Sequence, residues 1–502
     1  MRKIPATMAT QHPDNALAPY WDKARRPFIG VHQEIVEAVN CFRDLDTDEY
    51  MWDWEGKHAD AAVIDRLLSD YYDYFTKYQL GRDKFLTFRL PNIWEEKGYN
   101  LLQAMTVVLS SEDFARDLKL QSRPLFEVIL PMTERADQLM HIHRLFEKLA
   151  RFKSNEFTTD HATNTELLEL IPLIESVESQ LAVKDLLRDY VKFHTQHFRE
   201  APAYIRTFLA CSDSALSAGF LAAILGNKIS LTRLYEFSDE IGIPIYPIFG
   251  SGSLLFRGGL APSTVNRFLK EFPGVRTVTV QSSFRYDHPK NEVKAAIKKL
   301  GKQLPIARRR LISPEDQMSL ITICEQSAML YKQTLSKVLN TMRPFFNAVP
   351  KRRDRRQHIG LLAYSRSMGE QILPRAITFT AAFYSIGVPP EFIGLGRTLE
   401  RLKPKELKLL MTEYPNLVTD LVITGHFLNK KNLVKLAKTN SAWRIIQKDV
   451  EATERILSVN FQPQSKDEVA HQLLSTKLLN VKTEAARTRL ITDMAILRKS
   501  VG

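Results

Sequence analysis

The chain has 502 residues, 44% of them hydrophobic and 25% charged, a globular composition with length for one large domain and additions. No run of about 18 apolar residues occurs, which excludes a spanning helix read from hydropathy. With 70 basic against 57 acidic residues the net charge is +13, a surplus that suits either nucleic acid or a small polyanionic substrate.

The first stretch, "MRKIPATMATQHPD", has basic residues but no apolar core of about 7 residues, so no secretory signal is expected there. Within it His12 stands between Gln11 and Pro13. Taken alone it reads as part of a turn, because the residue before a proline is pushed toward extended geometry and Asp14 or Asn15 could cap a following helix. Cys41, Cys211 and Cys324 lie far apart with no CxxC spacing. That fits a reducing compartment, with the cytoplasm as the simplest location, and argues against a zinc site or disulfide framework.

Further on, short β-rich runs alternate with helical patterns: "YMWDW" (50–54), "FLTFRL" (85–90), "LFEVIL" (125–130), "LELIPLIE" (168–175), "YIRTFLAC" (204–211), "IPIYPIF" (243–249), "TVTVQSSF" (277–284) and "IGLLAYS" (359–365). Such strands separated by helices read as an α/β fold of the (β/α)8 TIM-barrel type. Residues 60–78 carry apolar side chains at helical spacing, and Ser313-Pro314-Glu315 supplies an N-cap, a proline at the first helical position and an acidic first turn. The gap of about 75 residues before the last run is too long for one helix. The expected organisation is a catalytic barrel over 1–388 with an inserted helical element near 290–350. A helical C-terminal region over 389–502 is expected to pack on the barrel rather than form a separate domain.

Catalytic groups in such a barrel sit where strands end. The runs deliver Asp53 and Glu55, Arg89, Glu175, Asp213, the loop "FGSGSLLFRGG" (249–259), Gln281 with Arg285, and Arg366. Glu175 and Asp213 are one strand apart, so both carboxylates can converge on a hard divalent cation such as Mg²⁺ or Mn²⁺. Equally, each can cap the helix after its strand. The glycine-rich loop matches neither nucleotide fingerprint, but glycine lets backbone N–H groups approach an anion. Arg257 within it, Arg89, Arg366 and Arg375 are fork-shaped donors suited to phosphate and carboxylate. The densest basic runs, 307–310 and 351–356, lack the interleaved aromatics that stack single-stranded bases and read as solvated faces.

Over nearly its whole length the chain resembles the phosphoenolpyruvate carboxylases, in the short archaeal-type form that also occurs in some bacteria. The resemblance rests on "TMATQHPDN", "YMWDWEGK", "FLTFRLPN", "FEVILPM", "GSGSLLFRGG" and "SSFRYDHP". It implies that His12 matches the histidine of the longer enzymes' "AHPTE", and that Glu175 in "PLIES" and Asp213 in "CSDS" are ligands of Mg²⁺, with Mn²⁺ as a substitute. It further implies that Arg257 acts in catalysis beside His12, and that Arg89, Arg366 and Arg375 bind substrate. The reaction implied joins phosphoenolpyruvate and bicarbonate into oxaloacetate and phosphate, in a homotetramer with no nucleic-acid or membrane partner. Another metal-dependent barrel lyase acting on phosphoenolpyruvate or pyruvate is the alternative, and an RNA-binding protein a more distant one. Two departures stand out: the glycine-rich loop starts Phe249-Gly250-Ser251 rather than His-Gly-Arg, and Leu216 replaces a lysine. The last residues, "RKSVG", lack the longer enzymes' Asn-Thr-Gly, so weaker inhibition by aspartate or malate is expected.

Overall fold

The computed structural model describes residues 2–11, 13–157, 168–351, 366–368 and 371–502. Eight parallel strands close into a barrel: β1 (Thr7–Thr10), β2 (Glu49–Asp53), β3 (Phe85–Arg89), β4 (Glu127–Leu130), β5 (Glu169–Ile174), β6 (Ile205–Ala210), β7 (Ile245–Gly250) and β8 (Thr277–Val280). Seven of the expected strands are present within a few residues. The run 277–284 is shorter than expected, because Ser282–Tyr286 turns into a helix. The closing strand differs. β1 pairs with β2 on one side and with β8 on the other, Met8 opposite both Glu49 and Thr279, so the barrel is complete without 359–365, which lies outside the described residues.

Side-chain alternation along the strands builds the barrel interior in layers. At the N-terminal end Arg206 Nη1 donates to Glu49 at 2.9 Å and to Glu127 at 2.7 Å, while Nη2 reaches Thr277 at 3.2 Å. Burial opposes the Arg206 charge, but Glu49 and Glu127 outweigh it and raise its pKa above the usual value. The middle layer is apolar: Met8, Met51, Ile129, Ile171, Leu173, Phe208, Ala210 and Ile248 form a cluster separate from the larger core between strands and helices. The same alternation then carries Asp53, Arg89 and Glu175 to the C-terminal mouth.

The outer layer is helical. Helices Val63–Asp70 and Tyr72–Lys77 break at Tyr71, and Ser313 caps the long helix Pro314–Asn347 by accepting from Asp316 N at 3.1 Å. With Lys290–Gln303 it fills the stretch beyond β8. From Pro404 to Leu497 the chain is helical, with short connections. Between these parts β9 (Arg366–Met368) and β10 (Gln371–Leu373) pair as an antiparallel ribbon. No helix among the described residues is long and apolar enough to cross a membrane.

Candidate active site at the barrel mouth

β2 and β3 end in a buried cluster of opposite charges. Arg89 Nε donates to Asp53 Oδ1 at 2.8 Å, its Nη1 lies 2.7 Å from Glu55 Oε2, and Lys57 Nζ donates to Asp53 Oδ2 at 2.7 Å. Burial works against the Arg89 charge, but Asp53, Glu55 and then Glu175 overcome it and hold its pKa above the ordinary range. Arg89 and Glu175 therefore share one electrostatic environment. Lys57, buried in this cluster, is a basic group that the sequence reading did not single out. It lies in the turn that follows β2, where Lys57 N donates to Trp54 O at 3.0 Å, and no helical spacing rule applies there.

Glu175 follows β5 directly and is buried. The helix after it is capped by Ser176, whose Oγ accepts from Ser179 N at 3.0 Å, so Glu175 is not that helix's N-cap. Asp213, half-buried, sits in the first turn of Ser212–Ala218, whose N-cap is Cys211. Adjacent strands thus present two carboxylates at the mouth. Among the described residues no group of three or more His, Cys, Asp or Glu could hold a metal ion. A site of two carboxylates suits a hard cation that keeps water and substrate oxygens in its remaining positions.

The glycine-rich loop does something other than present N–H groups to an anion. Gly252 N donates to Arg257 O at 2.6 Å, Gly258 N to Leu255 O at 2.9 Å and Gly259 N to Leu254 O at 3.1 Å, so these donors are used inside the loop. A Cβ on Gly252 would meet Arg257 Cζ at 2.9 Å, and Gly258 has φ +108° with Ser251 Oγ 2.8 Å from where its Cβ would be. Glycine is needed so that the loop can fold onto its own arginine. Arg257 is buried, with Nη1 donating to Asp14 Oδ2 at 3.0 Å and to Gly502 O, Nη2 to Gln281 Oε1 at 2.5 Å, and Nε to Ser212 Oγ at 3.3 Å. A guanidinium has five N–H donors. Four are committed, and among the described residues one Nη2 hydrogen remains.

Arg366 and Arg375 belong to elements next to the one that carries Asp213. β9, which begins at Arg366, and helix Ala376–Ser385, which Arg375 precedes as its N-cap residue, both lie against the helix carrying Asp213. His12 lies outside the described residues, but its neighbours follow directly on β1: Gln11 accepts from Asp53 N at 3.0 Å. Arg285 does not join the site. It is buried between helix Glu34–Arg43 and β1, 2.9 Å from Glu37 and donating to Thr10 O. Leu216 is wholly buried in the outer core, and Ser251 N donates to Thr279 Oγ1 at 2.9 Å. Neither position offers a basic group. In the run 307–310, Arg309 pairs with Asp239 at 2.8 Å and Arg310 with Glu413 at 2.7 Å.

Behind the Arg257 loop Glu391 is fully buried, accepting from Phe256 N at 2.8 Å and from Tyr384 Oη at 2.5 Å. Burial pushes its carboxyl up to about 7, against the lowering effect of those hydrogen bonds. The folded state therefore keeps a proton that the unfolded chain releases near pH ~4.3. Its contribution to stability is complete below that value and is lost as pH rises through about 7. Glu391→Gln retains a carbonyl acceptor for both donors and removes the titration. Thermal midpoints measured at pH 5 and pH 8 should then differ less than in the parent, by the equivalent of about 3 kcal/mol.

A barrel whose mouth gathers buried arginines and two adjacent carboxylates defines an enzyme of the TIM-barrel class, with a site for a small anionic substrate. The family model described as phosphoenolpyruvate carboxylase matches residues 4–502. Proteins named phosphoenolpyruvate carboxylase are 53% identical in Leuconostoc mesenteroides, with 100% of this chain and 99% of that protein covered, and 50% identical in Oenococcus oeni over the same shares. One from Metallosphaera sedula is 35% identical, with both chains fully covered. The chain belongs to the phosphoenolpyruvate carboxylase family.

Proposed function

We propose that the chain joins phosphoenolpyruvate and bicarbonate into oxaloacetate and phosphate, through carboxyphosphate and an enolate, as a cytoplasmic anaplerotic enzyme. The observation that carries this reading is family membership across residues 4–502. Arg89, Arg366 and Arg375 hold the phosphate and carboxylate of the substrate through charge-assisted hydrogen bonds, worth about 1.5–3 kcal/mol each. Arg89 does so from within its pairs to Asp53 and Glu55, which fix its direction. Glu175 and Asp213 are the residues that would hold Mg²⁺, or Mn²⁺ in its place. Such a cation supplies electrostatic stabilisation of the oxyanion that develops as the phosphoryl group departs. His12 accepts the carboxyphosphate proton, a role suited to an imidazole with an ordinary pKa of about 6.5. The remaining Nη2 hydrogen of Arg257 faces the bicarbonate-derived carboxyl and the carbon dioxide it releases.

The assembly we propose is a homotetramer with C-terminal helices in subunit contacts, which the resemblance supports. The function is tested by a coupled assay for oxaloacetate with and without bicarbonate and Mg²⁺. Oxaloacetate that appears only when both are present supports it. A lyase reaction of phosphoenolpyruvate or pyruvate that is indifferent to bicarbonate overturns it.

A further inference from the structure

Asp14 has no exposure to solvent and joins four parts of the barrel mouth. Its Oδ2 accepts from Arg257 Nη1 at 3.0 Å, and its Oδ1 accepts from Ser282 Oγ at 2.6 Å and from Ser283 N at 2.7 Å. Its backbone N donates to Ser282 Oγ at 2.9 Å, and its backbone O accepts from Val501 N at 2.6 Å. The segment after β1 is held again two residues on, where Asp287 accepts from Ala16 N at 2.8 Å and from Leu17 N at 2.7 Å. A structural clamp for this segment needs only these backbone contacts. The carboxylate on Arg257 goes further, since it places a negative charge on a guanidinium that is itself buried.

We propose that Asp14 is a positioning residue for the carboxylation step: it neutralises Arg257 and fixes the direction of the one hydrogen of that arginine left uncommitted among the described residues. The physical reason is the rigidity of a planar fork. Once Asp14, Gly502, Gln281 and Ser212 take four of five donors, the fifth has a single direction. A guanidinium paired in this way presents a donor without an unbalanced charge, which suits an acceptor that becomes neutral carbon dioxide. The substrate phosphate is served by other arginines. Loss of Asp14 therefore acts on the bicarbonate-derived carboxyl and leaves phosphoenolpyruvate binding in place. This inference rests on the function proposed above.

The experiment compares the parent with Asp14→Asn, which keeps an acceptor for Ser282 and Ser283 but removes the charge. KM for bicarbonate is expected to rise about tenfold, with KM for phosphoenolpyruvate within about twofold of the parent. The ratio of oxaloacetate to phosphate should fall as well, because a displaced donor no longer holds carbon dioxide beside the enolate. A purely structural role lowers the thermal midpoint and leaves both the KM split and the product ratio unchanged, and that result overturns the proposal. Should Asp14→Asn fail to fold, Ser282→Ala loosens Asp14 without leaving a buried charge unpaired. A smaller rise confined to the bicarbonate KM supports the inference, and parental values for both substrates overturn it. A parent that forms no oxaloacetate overturns the function itself, a distinct outcome from an active parent with an indifferent Asn variant.

Discussion

Asp213→Asn and Glu175→Gln are each expected to lower carboxylation by about a thousandfold, the equivalent of several kcal/mol of charge stabilisation. Both changes are neutral and nearly isosteric. Asp213 is half-buried in the first turn of the helix after β6, and Glu175, directly after β5, continues the inward-facing series of Ile171 and Leu173. Neither belongs to the apolar core, so the far-ultraviolet circular dichroism and the thermal midpoint should stay close to the parent's. Glu175 also contributes to the field that holds the Arg89 charge, but Asp53 and Glu55 precede it as contributors and remain in the variant. The expected loss is therefore one of turnover rather than of fold. Steady-state rates with Mg²⁺, repeated with Mn²⁺ in excess, provide the measurement. Weak activity recovered by Mn²⁺ supports carboxylate ligation, whereas parental turnover with Mg²⁺ in either variant removes both residues from the metal site.

What the sequence disclosed and what it hid have different physical origins. Strands such as "LELIPLIE" and "IPIYPIF" are legible because strands buried on both faces read as continuous apolar runs. β1 is only "TMAT", with threonine at both ends, and its strand conformation comes from ladders with β2 and β8 on either side. Local pattern could not reveal it. The consequence for the site is large, because with "TMAT" as the first strand the "QHPDN" segment falls at the catalytic end of the barrel rather than in a leading tail. The pairing of the arginines was also illegible. Arg257 and Asp14 are ion partners separated by most of the barrel's length of chain, and no spacing rule connects them. Arg285 shows the reverse error: its place after β8 suggested the mouth, but the short helix Ser282–Tyr286 turns its side chain toward Glu37 and Cys41. The glycine-rich loop was visible as a loop, yet only its internal hydrogen bonds show that its glycines accommodate Arg257.

His12→Asn is expected to separate the two halves of the reaction. The segment around His12 is anchored by its neighbours, Gln11 on Asp53 N and Asp14 on Arg257 and Ser282, so an asparagine between them should leave the mouth assembled. The carboxylates, the arginines and the attack of bicarbonate on phosphorus do not require the imidazole. Phosphate release should persist and should still depend on bicarbonate. Without a base for the carboxyphosphate proton, carbon dioxide does not form beside the enolate, which takes a proton from water and leaves as pyruvate. The measurement is a parallel assay of phosphate, pyruvate and oxaloacetate, with phosphate and pyruvate equal and oxaloacetate nearly absent. Lactate dehydrogenase and malate dehydrogenase couple the two keto acids separately. His288 is a poor substitute, because burial, followed by the nearby Lys499 charge, lowers its pKa to about 4. A base of that strength captures a proton poorly near neutral pH. Equal amounts of oxaloacetate and phosphate at close to the parental rate would return His12 to the role of a turn residue. The proton would then have to leave through a group on another strand end.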